Sequence, residues 1–435
     1  MSGVDGEAVG SVDAPAHDYT DDLLRSRDFR FYLIGQTVTC LGDAFAVVAL
    51  PLLVFRMTDS ALALGVAGAM GYLPWLLFGL IGGAIVDRVD RKRALISVDL
   101  ARALIIATVP VLYMVGHLGV AWICVVLFAN ASLDVIFSSG QYPAMVALVK
   151  KDDLVKANSL LSATTYGATA AGTALAGVVF ALAPIAHALW VDSASFLISA
   201  LALLAIRCGF NASPPVGLRD GSLGSTVRTL IGDAKAGLVY TWDNKLLRFL
   251  SMQIVIINLL FVAANTQLPL YASRQLGADD SRVSFLYTAV PIGSVVVSTL
   301  AVWIGRRANL VRLSVMSLLA GAATFVLLGL LRSYPVALLL LACLGGASVL
   351  YNINVTALRQ RIVPNELLGR VRSGSLTVAR CAMPIGSVLG GSVVAATGSV
   401  SAVFVVVGVA IMGTALIFRK RIAVASAALD PDARS

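Results

Sequence analysis

Asp43, Asp134 and Arg380 are ionisable side chains set inside long apolar runs. Asp43 lies 14 residues into the run 29–55, Asp134 well inside 119–141, and Arg380 about two turns into 373–397. In a hydrocarbon solvent each such charge costs roughly 2.5–3.5 kcal/mol, so its retention needs a reason. Removal from water disfavours the ionised carboxylate, and a carboxyl group poised near neutrality can take up and release protons. Asp43 and Asp134 are therefore candidates for proton coupling; a hydrogen-bonded tie between helices is the alternative the sequence leaves open. Arg380 keeps its charge and can act as a counter-ion or receive an anionic group. Asp99 and Arg102, three apart on one helical face, read as a structural pair. Asp192, near the start of the run 187–206, is expected to reach water.

Helices that cross a membrane must position these groups. Of 435 residues, 58% are hydrophobic and only 13% charged, and the mean hydropathy is +0.87. A soluble chain of this size needs more charged surface, so lipid is the expected solvent. Crossing ~30 Å of hydrocarbon takes about 20 apolar residues in a helix, the element that satisfies its own backbone there. Twelve segments qualify: 29–55, 61–86, 94–116, 119–141, 158–183 and 187–206, then 246–271, 282–305, 313–331, 335–358, 373–397 and 401–418. The fold class expected is an all-α membrane protein of twelve transmembrane helices.

The charges outside these segments report orientation. Of 33 Lys and Arg, 27 fall in the lead-in, the C-terminal tail or the even-numbered connections; the odd ones hold Arg56, Arg274, Arg282 and Arg332. The bias toward one side places both termini and all even connections in the cytoplasm of a multi-pass cell-membrane protein. A net charge of +9 distributed in this way speaks for topology and not for nucleic acid. Residues 1–28 carry seven acidic side chains and no apolar core, which reads as an acidic cytoplasmic tail with no cleavable signal peptide. The five cysteines show no CxxC pair, so neither a metal site nor a disulfide framework is expected. There is no phosphate-binding Gly-x-x-x-x-Gly-Lys-Ser/Thr, and the three histidines are far apart in sequence, which argues against ATP use and against an enzyme. No cofactor is expected.

The chain repeats itself. Shifted by 214 residues, Val149–Ala181 falls on Val363–Ala395 without a gap, with nine identities. Leu50-Pro51-Leu52 likewise resembles Leu268-Pro269-Leu270, and Gly71–Pro74 resembles Thr288–Pro291. Two six-helix halves in one orientation, 29–206 and 246–418, fit this pattern and leave a cavity between them near the midplane. The connection 207–245 carries Val227, Leu230, Ile231, Ala234, Leu238 and Trp242 at helical spacing, so an amphipathic helix on the inner membrane surface is expected there. Residues 419–435 form a cytoplasmic tail.

The densest charge cluster abuts the least charged span. Ala61–Val86 has no charge, then six of the next seven side chains are ionisable. In this frame "GGAIVDRVDRKR" resembles the loop between spans 2 and 3 of the major facilitator superfamily, at Gly83, Asp87, Arg88, Arg91 and Lys92. Asp90 departs from the usual glycine. The chain is most similar to the branch that contains siderophore and macrolide efflux proteins, through Arg27-Asp-Phe-Arg30, Leu41-Gly-Asp43, Asp99–Arg102, Ala157-Asn-Ser-Leu160 and Gln360-x-x-Val-Pro364 with Gly369-Arg-Val371. The resemblance implies that the loop gates one half against the other, with Asp87 at the positive end of span 11; a loop that only fixes topology is the plainer reading.

Small residues complete the set. Gly172 and Gly177 in span 5, and Gly386, Gly390 and Gly391 in span 11, are expected to let helices approach closely. The span-5 stretch resembles the glycine-rich motif of exporters, with Thr173 and Ala176 as departures. Pro51, Pro74, Pro291 and Pro384 are expected to kink or locally open their spans. Gln36, Asn258, Asn265, Gln267, Asn352 and Asn354 are candidate liners of a substrate cavity. The expected function is proton-coupled export of amphipathic small molecules, with an importer of the same fold as the alternative and a membrane receptor or enzyme behind both. Its partners are the substrate, protons and membrane lipid, and a monomer is expected to suffice.

Overall fold

The computed structural model describes residues 20–86, 88–211, 232, 239–305, 310–363 and 365–429. Among these described residues twelve long helices form the body: α1 Arg27–Thr58, α2 Ala61–Val86, α3 Arg91–Met114, α4 Val120–Leu148, α5 Leu154–Leu182, α6 Leu189–Ala205, α7 Lys245–Asn265, α8 Asp280–Gly305, α9 Leu310–Leu330, α10 Tyr334–Ile362, α11 Asn365–Thr397 and α12 Val400–Leu429. All twelve are long and apolar enough to cross a membrane. The helices satisfy most of their own backbones, and side chains cap some of the remaining orphan amides. Ser26 accepts from the Phe29 amide at 3.4 Å, and Asn244 accepts from Leu246 and Leu247 at 3.0 and 3.1 Å. Asp90, the departure from the usual glycine, accepts from the Arg93 amide at 2.9 Å and so caps α3.

The expected span 246–271 is two pieces, because the chain turns at Thr266 and Gln267 before the short helix Leu268–Leu276. Pro269 sits in the first turn of that helix, where its missing amide hydrogen costs nothing. By contrast Pro51, Pro74, Pro291 and Pro384 all lie within continuous helices. The expected amphipathic helix falls almost entirely on 212–231 and 233–238, outside the described residues, as do Asp87 and most of the acidic tail.

Packing makes the repeat visible. Within the first six helices α1 packs on α5 and α6, α2 on α4, and α3 on α4 and α6. Six helices later the same contacts recur: α7 on α11 and α12, α8 on α10, and α9 on α10 and α12. The two bundles meet along α2 with α11 and along α5 with α8, which are again counterparts. Close approach depends on small residues. A Cβ on Gly172 would overlap the Leu41 carbonyl of α1, and one on Gly386 would overlap the Leu259 carbonyl of α7. Gly390 abuts Ala263 of α7, Gly391 abuts Ala61 of α2, and Gly177 lies against Ser281 and Ser284 of α8.

The seam between bundles is sewn near the odd-numbered connections. Ser387 donates to the Gly65 carbonyl at 2.7 Å and Gln267 to the Ala61 carbonyl at 3.2 Å. On the other side, Ser284 donates to Thr173 at 2.6 Å and Ser281 to Gly177 at 2.7 Å. Two ion pairs bridge the same face: Arg56 Nε to Asp280 Oδ1 at 2.8 Å, and Arg274 Nη2 to Asp59 Oδ2 at 2.8 Å. Each half contributes one arginine.

Candidate functional site

Arg102 organises the interior of the first bundle. Its guanidinium, carried by α3, reaches Asp43 Oδ1 of α1 at 3.0 Å and Asp134 Oδ1 of α4 at 3.7 Å. The Nε hydrogen goes to Asn130 Oδ1 at 2.9 Å, and the Phe196 ring of α6 lies 4.2 Å below the guanidinium carbon. The Arg102 side chain is 4% exposed, whereas both carboxylates are 35% exposed. A buried cation thus presents two carboxylates to open space. The helical period produces this arrangement: Asn130 and Asp134 are four apart on one face of α4, so both turn toward α3.

The expected pairing of Arg102 with Asp99 on the same helix does not occur. The guanidinium extends across to α1 and α4, where three acceptors converge, and Asp99 is buried toward α6. Asp192 corrects a second expectation: it is fully buried, packed beside Gly42 of α1, and does not reach water. The spacing rules that place a residue near a helix end say nothing about what packs over that end.

Three cavities surround this cluster or mirror it. A cavity of about 400 Å³ in the first bundle runs from Asp43, Arg102 and Asp134 toward the even-connection ends of α4 and α5, past Gln36, Gln141 and Asn158. Gln141 donates to Gln36 along its wall at 2.6 Å. A central cavity of about 370 Å³ begins at the same three charged residues and extends between the bundles, along Tyr72, Trp75, Asn265 and Tyr287. The charged cluster is therefore the partition between these two spaces. A third cavity of about 300 Å³ lies wholly in the second bundle and is mostly apolar, with Asn258 and Asn352 among its walls.

Four of the six candidate liners thus face a cavity: Gln36, Asn258, Asn265 and Asn352. Gln267 and Asn354 line none of the three. Gln267 is buried in the seam against α2, and Asn354 is buried in α10. Arg380 of α11 stacks on Trp75 of α2, its guanidinium carbon 3.7 Å from the ring centroid, which makes a mid-depth contact between bundles. Asn130, Phe196 and Trp75 escaped the sequence reading. Asn130 had a signal, one turn before Asp134; the two aromatic residues had none in one dimension.

Of the motif loop, Asp87 lies outside the described residues, and Gly83 sits in the last turn of α2, where a Cβ would meet nothing within 4 Å. Arg91 and Lys92 turn onto the end of α6: the Arg91 amide donates to Asn211 Oδ1 at 3.0 Å, and Lys92 donates to the Ile206 carbonyl. Cations at the carboxyl end of a helix are favourably placed. Arg88 closes the turn with its amide on Ile85 O at 3.1 Å. Among the described residues no three His, Cys, Asp or Glu side chains gather as a metal site.

Comparison with known proteins covers most of the chain. The family described as "Transmembrane secretion effector" matches residues 22–434. Macrolide efflux protein A of Streptococcus pyogenes is 26% identical over 367 residues, covering 83% of this chain and 88% of that protein. The multidrug efflux pump Tap of Mycolicibacterium fortuitum is 26% identical over 372 residues, covering 82% and 87%. The enterobactin exporter EntS of Citrobacter koseri is 24% identical over 364 residues, covering 79% of each. Among solved structures, the nucleoside transporter NupG (D323A mutant) superposes with a TM-score of 0.73 at 13% identity, over 91% of this chain and 99% of that one. That likeness concerns the fold.

Proposed function

The chain belongs to the transmembrane secretion effector family of the major facilitator superfamily, and from that premise we propose that it is a proton-coupled, alternating-access exporter of amphipathic small molecules. The observation that carries the reading is the cluster of Asp43, Arg102 and Asp134 between two cavities. One guanidinium balances one carboxylate. The second carboxylate, which faces the two cavities, is where a proton or a cationic group of the substrate would bind. Binding either at this partition changes which contacts Arg102 makes. That is the differential interaction a two-state transporter requires.

The substrate class rests on the central cavity, where Leu50, Leu64, Tyr72 and Trp75 offer apolar and aromatic surface beside a charged end. Relatives named for macrolide, multidrug and enterobactin efflux support export of drug- or siderophore-like compounds. Orientation follows from the Lys and Arg bias, which assigns the even connections and both termini to the cytoplasm. With the odd-connection seam bonded by Ser281, Ser284, Ser387 and the two ion pairs, the reading has the present conformation facing inward. The motif loop then gates the opposite face, with Asp87 as its acidic member.

Inside-out vesicles bearing the protein, acidified within, test the proposal. Uncoupler-sensitive accumulation of an amphipathic dye, absent from empty vesicles and from Asp43→Asn, is the expected result. Accumulation that ignores the uncoupler removes protons from the mechanism. Uptake only in right-side-out vesicles would make the protein an importer.

A further inference from the structure

The third cavity is the repeat partner of the charged one along two pairs of helices. Leu50-Pro51-Leu52 and Leu268-Pro269-Leu270 fix an offset of 218 between α1 and α7. At that offset Gln36, Thr39, Cys40 and Asp43, which line the first cavity, become Ile254, Ile257, Asn258 and Phe261, which line the third. The helices α4 and α10, Val120–Leu148 and Tyr334–Ile362, are the same length and start 214 residues apart. There Asp134, Phe137 and Ser138 correspond to Ser348, Tyr351 and Asn352, again liners of both cavities. Arg102 and Gly321 line the two cavities from the corresponding helices α3 and α9. The cluster of Asp43, Arg102 and Asp134 in one bundle is thus Phe261, Gly321 and Ser348 in the other.

We propose that this second-bundle cavity is a binding site for a neutral, apolar group of the transported molecule, separate from the charged cavity in the first bundle. Replacing Arg102 by a glycine opens the volume that the guanidinium fills on the other side. A Cβ on Gly321 would meet only Leu344 Cδ1, at 3.7 Å, so space and not close packing surrounds it. Phe261, Phe325, Leu318, Leu344 and Met383 supply apolar wall, and Asn258 and Asn352 supply the sparse polar groups. At about 300 Å³ the cavity holds one drug-fragment-sized moiety. Asn258 and Phe261 lie one to two turns from Asn265, which lines the central cavity from the same helix. A molecule in the central cavity can therefore extend its apolar end along α7 into this site. The inference rests on the transporter reading and is independent of proton coupling.

Photolabelling of the full chain in lipid nanodiscs tests it, with 3-trifluoromethyl-3-phenyldiazirine as a neutral apolar probe. Adducts are expected on Phe261, Tyr351 and Met383 in the wild type, reduced about tenfold in Gly321→Leu and in Ser348→Phe. Labelling of the exposed Leu339 and Val406 should persist in both variants and serve as the folding control. Absence of adducts on the cavity residues, or adducts that both cavity-filling variants leave unchanged, overturns the proposal. A phospholipid that co-purifies with the wild type and is lost in Gly321→Leu makes the cavity a lipid site and overturns it equally. Vesicle transport and its uncoupler sensitivity are read separately, so failure of this site and failure of proton coupling remain distinct.

Discussion

The two bundles share their principal helix contacts and have opposite interiors. In the first, α1, α3 and α4 converge on a buried cation with two carboxylates; in the second, α7, α9 and α10 converge on an aromatic ring, a glycine and a serine. One close glycine contact is kept in both: Gly172 on Leu41 and Gly386 on Leu259 are counterparts. What a duplicated fold preserves is the close approach of backbones, because any added atom there collides with a carbonyl. What it leaves free to diverge is the chemistry of side chains that face a void, because no neighbour constrains their identity.

Removing Arg102 should break this comparison most severely. Arg102→Met leaves two carboxylates facing one another without their cation, and breaking a buried pair in this way costs roughly 3–5 kcal/mol. Thermal unfolding in detergent and the yield of monodisperse protein should both fall sharply. A charge introduced on the other side comes next. Phe261→Asp places a carboxylate in the apolar cavity at roughly 2.5–3.5 kcal/mol, and adding Gly321→Arg should recover part of that loss if the positions are counterparts. Failure of the double variant to recover any stability would show that Phe261 and Gly321 are not the counterparts of Asp43 and Arg102.

Asp43→Asn sharpens the same contrast on the transport side. It should abolish uncoupler-sensitive dye accumulation while leaving the melting temperature close to wild type, since the asparagine can still accept from Arg102. A variant that accumulates dye normally would take proton coupling away from the first bundle. The smallest effect is expected at the odd-connection seam. Arg56→Ala with Arg274→Ala removes two exposed ion pairs, each worth at most about 1 kcal/mol to stability. The readout is the rate at which a membrane-impermeant maleimide labels a cysteine placed at Ser281 in the seam, which should rise as the bundles part more often.

Several of these features were legible in one dimension. Run length gave twelve spans, because a helix must be long enough to cross hydrocarbon, and the matched stretches Val149–Ala181 and Val363–Ala395 gave two related halves. Asp43, Asp134 and Arg380 stood out because a charge among apolar residues is conspicuous. Arg102 was visible too, yet its partner was misread. Sequence spacing sees neighbours three or four residues away on one helix, and Asp43 is 59 residues distant. Asp192 was misplaced for the same reason: its burial is a property of α1 lying over it.

By itself, then, the sequence determined that this chain lives in lipid, how many times it crosses, and which ionisable groups it keeps there, since those follow from composition and run length against a bilayer of fixed thickness. Only the tertiary structure decided that Arg102 joins Asp43 to Asp134 and that Arg380 rests on Trp75. It also decided that one cavity is ionic and its counterpart apolar. Those outcomes depend on which helix faces meet, and that choice is made by packing between segments from tens to hundreds of residues apart.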